Sequence, residues 1–170
     1  MEKRGGYEPP RRGPKGGRRA RMVQPREHET YRARCKSGET LRCKECGVFS
    51  HAGHWSWEAP DGVRPLPATC PACRRIHDRY PAGIIRLHGD LGSQRDELLA
   101  MIRNVEAQEK AEHPLERLME ITPERGALVV TTTGMHLARC ICGALERRSH
   151  GHIRIRYAEE ETQVTVDWTP

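Results

Sequence analysis

The clearest apolar periodicity along the chain lies in its second half. Residues 83–88 (GIIRLH) are a short β-branched run that predicts a strand, and residues 127–133 (ALVVTTT) predict a buried second strand. Each strand precedes a pattern of helical period, for which Ser93 and Thr133 are suitable N-caps. The inward positions of the two helices are Leu98, Met101, Ile102 and Val105, then Leu137, Ala138, Ile141, Ala144 and Leu145. A short amphipathic piece, residues 115–121, precedes the second strand.

The end of the chain alternates apolar and polar residues with period two. One run places Ile153, Ile155 and Tyr157 on one face, and the next, after an AEEE turn, places Val164, Val166 and Trp168 on one face. This pattern predicts an antiparallel pair with one packed face. Residues 83–170 are therefore expected to form a small βαβαββ sandwich of α+β class, with helices on one side of a mixed sheet.

The first part of the chain is polar and strongly basic. Residues 1–36 contain twelve Lys or Arg and four Glu, a net charge of +8, whereas the whole chain carries +6. We predict that residues 1–38 are a disordered basic tail and linker, with Tyr31 as the only sizeable anchor. The tail cations expected to contact phosphates are Arg11, Arg12, Lys15, Arg18, Arg19 and Arg21.

Seven cysteines include two C-x-x-C pairs, Cys43/Cys46 and Cys70/Cys73. In a chain without a signal-peptide pattern, these pairs favour metal over disulfides, and four thiolates suit one structural, tetrahedral Zn²⁺. The alternatives are a redox dithiol and a coincidental spacing of the cysteines. Residues 39–82 are then a zinc-ribbon-like module, called here the cysteine module.

Other candidate ligands have simpler interpretations. His51 and His54 lie near the first pair, but four cysteines already complete the set, so both histidines are read as exposed polar residues. Cys140 and Cys142 are two apart in a predicted helix, point in different directions and are read as packing thiols. Cys35 has no assigned role.

Two clusters of cations lie outside the tail. One follows the second cysteine pair and contains Arg74, Arg75, His77 and Arg79. The other is on the outer face of the last hairpin and contains Arg154 and Arg156. Trp55 and Trp57 alternate and are read as a cover for the metal, with base stacking as the alternative.

Three stretches resemble a known family. The segments CPACRRIHDRYPAGIIRLHGD and LVVTTTGMHLARCICGALERRS, the latter followed by strands ending in VTVDW, are similar to the adaptor for nuclear export of the large ribosomal subunit, first named from nonsense-mediated mRNA decay. HPLERL before the TTT turn, together with the paired tryptophans, resembles an uncharacterised bacterial branch of that family. The resemblance implies binding to large-subunit ribosomal RNA, with the four cysteines at metal positions and Arg74 and Arg75 in the basic run. The adaptor's additional cysteines and export signal are not matched, so export is not expected.

The sequence thus predicts a cytoplasmic, non-enzymatic zinc protein that binds ribosomal RNA as an assembly, quality-control or dormancy factor. The alternative is a zinc-ribbon regulator that binds DNA. No membrane or small-molecule partner is evident, and Ser93, His136 and Asp167 have no visible catalytic partners.

Overall fold

Two β-sheets and three α-helices make up the part of the chain that the structure, a computed structural model, describes. That part is Tyr31 and residues 39–148, 151–158 and 162–170. The predicted α+β class is confirmed. None of these helices has both the length and the apolar character needed to cross a membrane.

The first sheet belongs to the cysteine module. Its strands are β1 (Thr40–Cys43), β2 (Phe49–His51), β3 (His54–Ser56) and β4 (Leu66–Ala68), in the order β3-β2-β1-β4. β4 lies parallel to β1, and the other neighbours are antiparallel. A short helix, α1 (Pro71–His77), follows the sheet. Pro71 suits the first turn of this helix, where a backbone N–H is not needed.

The second sheet is mixed, as predicted. Its strands are β5 (Gly83–His88), β6 (Leu118–Glu124), β7 (Ala127–Thr132), β8 (His152–Tyr157) and β9 (Val164–Thr169), in the order β6-β7-β5-β9-β8. Only β5 and β9 are parallel among these neighbours. The helices are α2 (Arg95–Glu112) and α3 (Met135–Arg148). We call this second part the α+β domain.

Both helices of the α+β domain pack on the same face of its sheet. The predicted stripe of α3 is fully buried, and Leu98 and Ile102 of α2 are buried beside it. The sheet contributes alternate residues to this core: Ile85, Leu87, Leu128, Val130, Val164, Val166 and Trp168. The opposite face, called here the polar face, carries Arg86, His88 and Asp167 beside the apolar Ile84 and Val129.

The predicted strand order missed β6. This segment was interpreted as an amphipathic piece, because Pro123 and its polar neighbours weaken the strand pattern. β6 is at the edge of the sheet and reaches β7 through a turn with Gly126 at φ +77°. An edge strand tolerates proline, since one side of its backbone needs no strand partner. The order in the α+β domain is therefore βαββαββ.

Both predicted helix caps were wrong. Ser93 lies in a 3₁₀ turn, Gly92–Gln94, and α2 begins at Arg95 without a side-chain cap. The Thr133 hydroxyl instead donates to the Leu115 carbonyl at 2.6 Å. An N-cap oxygen accepts a helix N–H, whereas the Thr133 oxygen accepts the Arg117 N–H at 2.9 Å, and α3 begins only at Met135.

The last hairpin packs less completely than its pattern indicates. Val164, Val166 and Trp168 of β9 are buried, but Ile155 and Tyr157 of β8 are 41% and 53% exposed. β8 is the edge strand beside β9, and α3 contacts β5, β7 and β9. Alternating apolar residues in an edge strand thus predict the strand correctly, but they do not show whether a helix packs over it.

Candidate metal centre

The first cysteine pair is held by a tight turn at the end of β1. The backbone N–H of Cys43 donates to the Val48 carbonyl at 2.8 Å, and that of Gly47 donates to the Cys43 carbonyl at 3.1 Å. Gly47 has φ +79°, a left-handed conformation that glycine adopts without strain. This turn places the sulfurs of Cys43 and Cys46 on one side.

The second pair is held by the start of α1. Cys70 is the N-cap, and its Sγ accepts the backbone N–H of Cys73 at 3.4 Å. Parallel pairing of β1 with β4 brings this helix start beside the first turn, and the Cys70 N–H reaches the Cys43 Sγ at 3.4 Å. Two local turns and one strand pairing therefore assemble four sulfurs.

The four sulfurs have the spacing of a tetrahedral thiolate site. The Sγ atoms of Cys43 and Cys73 are 3.8 Å apart, and those of Cys46 and Cys70 are 3.7 Å apart. All four lie within 4.8 Å of one another. A tetrahedron with metal–sulfur bonds of about 2.3 Å has edges of about 3.8 Å. The predicted cysteines thus form a cluster that can hold a metal ion.

The surroundings of the four sulfurs favour the thiolate form at some cysteines and oppose it at others. Burial acts to raise the pKa of Cys43, but backbone N–H groups, led by that of Cys46, lower it to about 6. Burial raises the pKa of Cys70 to about 11, and neighbouring sulfurs add to this effect. Thiolates this close repel one another, so a divalent cation would offset both the repulsion and the desolvation.

Arg117 is the functional residue that the sequence did not indicate. Its guanidinium donates from Nη2 to the Cys46 Sγ at 3.1 Å and from Nη1 to the Cys73 Sγ at 3.6 Å. A third bond runs from Nε to the Pro114 carbonyl at 2.7 Å, and the residue is only 7% exposed. Burial alone would lower the pKa of Arg117, but its bond to Cys46 and the nearby sulfurs raise it. The α+β domain therefore supplies a buried cation to the cysteine cluster.

Residues of the HPLERL and TTT segments hold Arg117 in place. The Arg117 N–H donates to the Thr133 hydroxyl at 2.9 Å. Glu116 accepts the N–H of Leu137, near the start of α3, at 2.8 Å. A Cβ at Gly134 would overlap the Glu116 carboxylate, so a larger residue there would displace this carboxylate from its present position. Both segments were noted in the sequence, but nothing in them signalled a contact with sulfur.

Trp55 and Trp57 make different contacts. Trp55 packs on the cysteine cluster as predicted, together with Leu115 from the α+β domain. Trp57 follows β3 and is 37% exposed. Its Nε1 donates to the Lys110 carbonyl at 2.7 Å, and the Arg117 guanidinium lies 5.5 Å from its ring centre. Trp57 thus joins the two parts of the molecule.

The remaining candidate ligands are the histidines near the first cysteine pair and the cysteines outside the two C-x-x-C pairs. His51 and His54 are outside the four-sulfur cluster, and His51 pairs its Nδ1 with the Thr40 hydroxyl at 2.9 Å. Cys142 is buried, in keeping with a packing thiol, but Cys140 is not enclosed in the core and lies 3.5 Å from His136 Nε2. Cys35 is outside the described residues.

Two residues predicted to have no catalytic partners are in fact paired. His136 Nε2 is 2.9 Å from the Glu109 carboxylate. Asp167 accepts from His88 at 2.9 Å and from Arg156 at 2.5 Å. The bond from His88 is the main reason why the pKa of Asp167 is lowered.

The cations that follow the second cysteine pair lie on and just after α1. Arg75 lies over the Tyr31 ring at 4.2 Å and the Tyr80 ring at 5.5 Å. The Tyr31 hydroxyl also donates to Asp78 at 3.0 Å, so Tyr31 is an anchor as expected. His77 is 2.9 Å from Glu45. Arg74 is half-buried and Arg79 is exposed.

The other predicted phosphate contacts lie elsewhere. Arg154 and Arg156 are exposed on β8, and Arg156 is bound to Asp167. The six tail cations, Arg11, Arg12, Lys15, Arg18, Arg19 and Arg21, lie outside the described residues. Among the described residues, the predicted cations thus lie on two different elements, one group on and just after α1 and the other on β8.

Comparison with protein-family models, curated proteins and solved structures found no match to this chain. The resemblance to the export-adaptor family therefore stays a prediction.

Proposed function

We propose that the chain is a non-enzymatic zinc protein that binds ribosomal RNA of the large subunit, as an assembly, quality-control or dormancy factor. Zn²⁺ is the ion that best fits four sulfurs with edges of 3.7 and 3.8 Å, because it accepts a closed tetrahedral thiolate set. Cys43, Cys46, Cys70 and Cys73 would hold it, and it would supply a rigid crosslink. With no open position on the ion, this centre has a structural role.

The observation that carries the proposal is the attachment of α1 to the cysteine cluster. Cys70 caps this helix and Cys73 lies in its first turn, so the cations of α1 are fixed relative to the metal ligands. Fixed cations can register a protein on the phosphates of a folded RNA, whereas mobile ones add mainly affinity.

The setting of Arg75 supports this interpretation. Its guanidinium lies against the stacked rings of Tyr31 and Tyr80, 4.2 and 5.5 Å from their centres, and donates to the Tyr80 carbonyl at 3.2 Å. Burial lowers the pKa of Arg75 but does not bring it near neutrality, since a guanidinium stays protonated. The charge is therefore held in a fixed plane, and Tyr80, 44% exposed, offers a ring on which a base could stack.

The test is a competition between purified large ribosomal subunits and transfer RNA at several salt concentrations. The wild type is compared with Arg74→Ala/Arg79→Ala and with a truncation lacking residues 1–24. The control is Arg64→Ala/Arg103→Ala, which removes two exposed cations that are not on α1. Losing two phosphate contacts should lower the salt slope by about 1.4 and reduce the preference for subunits. The truncation should weaken both complexes about equally.

Two outcomes would overturn the proposal. One is an unchanged subunit preference in the Arg74/Arg79 variant while its metal stays bound. The other is stronger binding to duplex DNA than to either RNA, which would favour the DNA-binding regulator instead.

A further inference from the structure

A second group of metal-ligand side chains lies where α2 meets α3. Glu109 comes from the last turn of α2, and His136 and Cys140 are four residues apart on α3, hence on one face. The His136 Nε2 is 2.9 Å from a Glu109 oxygen and 3.5 Å from the Cys140 Sγ. All three donor atoms lie within 4.8 Å of one another.

The donor set and its spacing suit a zinc-class ion. Imidazole, thiolate and carboxylate are the three ligand types that Zn²⁺ accepts, with bonds of about 2.0 to 2.3 Å. In a tetrahedral site those bonds separate nitrogen from sulfur by about 3.6 Å, close to the 3.5 Å between His136 and Cys140. The carboxylate would move away from the imidazole by about 0.5 Å, from a hydrogen-bonding to a ligand distance.

The space beside these residues is open. A groove of about 360 Å³ runs between the cysteine module and the α+β domain, and Trp55, His113, Glu116 and His136 line it. The His113 ring meets the His136 ring edge-on, with centres 5.4 Å apart. The His136 side chain is 44% exposed. Of the three candidate ligands, His136 lines this groove, and an ion held by only three ligands would keep a fourth coordination position unfilled, unlike the closed four-sulfur centre.

We infer that Glu109, His136 and Cys140 form a second metal site, which binds a Zn²⁺-class divalent ion with one coordination position open to the groove. This inference does not depend on RNA binding. The competing interpretation is a surface ion pair between Glu109 and His136 with a thiol beside it by chance. The two interpretations differ in the number of ions bound.

The test is Zn²⁺ titration of the intact chain, followed by native mass spectrometry. The four-sulfur centre should fill first, since it offers more soft ligands, and a second equivalent should follow. His136→Ala and Cys140→Ser should each weaken this second equivalent by at least about 100-fold, because a direct ligand matters at least as much as an outer partner. The matched control is Cys142→Ser, a buried thiol two residues away on α3, which should still bind two ions.

A readout on the thiol itself separates binding from misfolding. In the wild type, the second equivalent of Zn²⁺ should protect Cys140 from alkylation, and in His136→Ala this protection should disappear while the first ion stays bound. A wild type that binds a single ion in excess Zn²⁺, or a second ion unaffected by both substitutions, would overturn the inference.

Discussion

The two parts of this molecule bury very different cores. In the α+β domain, fourteen fully buried hydrophobic residues from two helices and three strands pack together. In the cysteine module, the buried cluster has five members, and three of them are metal-ligand candidates, Cys43, Cys70 and Cys73. The α+β domain can thus be stabilised by apolar burial alone, whereas the cysteine module has too little apolar surface to do so.

This difference shows how two ways of stabilising a fold can meet at one residue. Arg117 belongs to the α+β domain, yet it donates to two sulfurs of the cysteine module. The four-sulfur cluster therefore depends on both parts of the molecule and not on the cysteine module alone. The negative charge of its sulfurs is partly offset by Arg117, which hydrogen bonds to Thr133 and Pro114 hold in the neighbouring domain.

Removing a metal ligand is expected to have the largest effect, because it tests whether the cysteine module depends on a metal while the α+β domain does not. Cys70→Ser is expected to abolish metal binding and unfold the cysteine module, because a structural zinc contributes on the order of 10 kcal/mol. Hydrogen exchange should show lost protection in β1 and β2 and retained protection in β5 and β7.

The control for this variant is Ile102→Ala, which removes a fully buried side chain from the α+β core. It should cost about 2 to 5 kcal/mol without changing the metal content. Protected β1 and β2 amides in a metal-free Cys70→Ser protein would show that the cysteine module does not need a metal.

Replacing Arg117 should sharpen the comparison. Arg117→Met keeps an apolar stem but removes the bonds to Cys46, Cys73 and Pro114. We expect metal affinity to fall by about 10- to 100-fold, as for other partners of metal ligands, in a chelator competition. The metal affinity of Arg117→Lys should lie between those of the wild type and Arg117→Met, since lysine keeps the charge but not the planar guanidinium.

The control is Arg103→Met, at an exposed position of α2. Equal metal affinities in the Arg117 and Arg103 variants would mean that the contact with sulfur only packs the two parts together.

The smallest effect is expected on the polar face of the α+β domain. The bond from His88, with the charge of Arg156, lowers the pKa of Asp167 in the folded protein. Stability from this carboxylate is therefore present above its unfolded pKa of about 3.9 and is lost as the pH falls below that value. Asp167→Asn should reduce the loss of unfolding free energy at acidic pH by less than about 1 kcal/mol, since His88 and Arg156 are 39% and 59% exposed.

Urea unfolding between about pH 4 and pH 2 measures this effect. Glu124→Gln, at an exposed position of β6 in the same sheet, is the control and should keep the wild-type slope. If both variants follow the wild type, the Asp167 ion pairs do not contribute to stability.

Features that repeat along the chain were predictable from the sequence. The stripe from Leu137 to Leu145 reports burial directly, because its period equals that of the helix. The four cysteines were predictable for a related reason, since each C-x-x-C turn fixes two sulfurs locally. Only the meeting of the two turns depends on the fold.

Features made by distant residues were not predictable. Arg117 is 71 residues from Cys46, and Glu109 is 27 residues from His136, so no local pattern links either pair. The run after Cys73 was read as a basic knuckle, although Pro71 is a recognised start signal for a helix such as α1. The exposure of Tyr157 depends on where the helices end across the sheet, which its alternation does not encode.

The position of Arg117 also sets an order of events during synthesis. All four cysteines leave the ribosome before it, and Cys73 precedes it by 44 residues. At about 5 to 20 residues per second, this gap lasts about 2 to 9 seconds. An ion can enter the nascent sulfur cluster during that interval, before the guanidinium covers it. Loading should then be faster before Arg117 is in place, and the finished chain should exchange its ion more slowly than a chain arrested before Arg117.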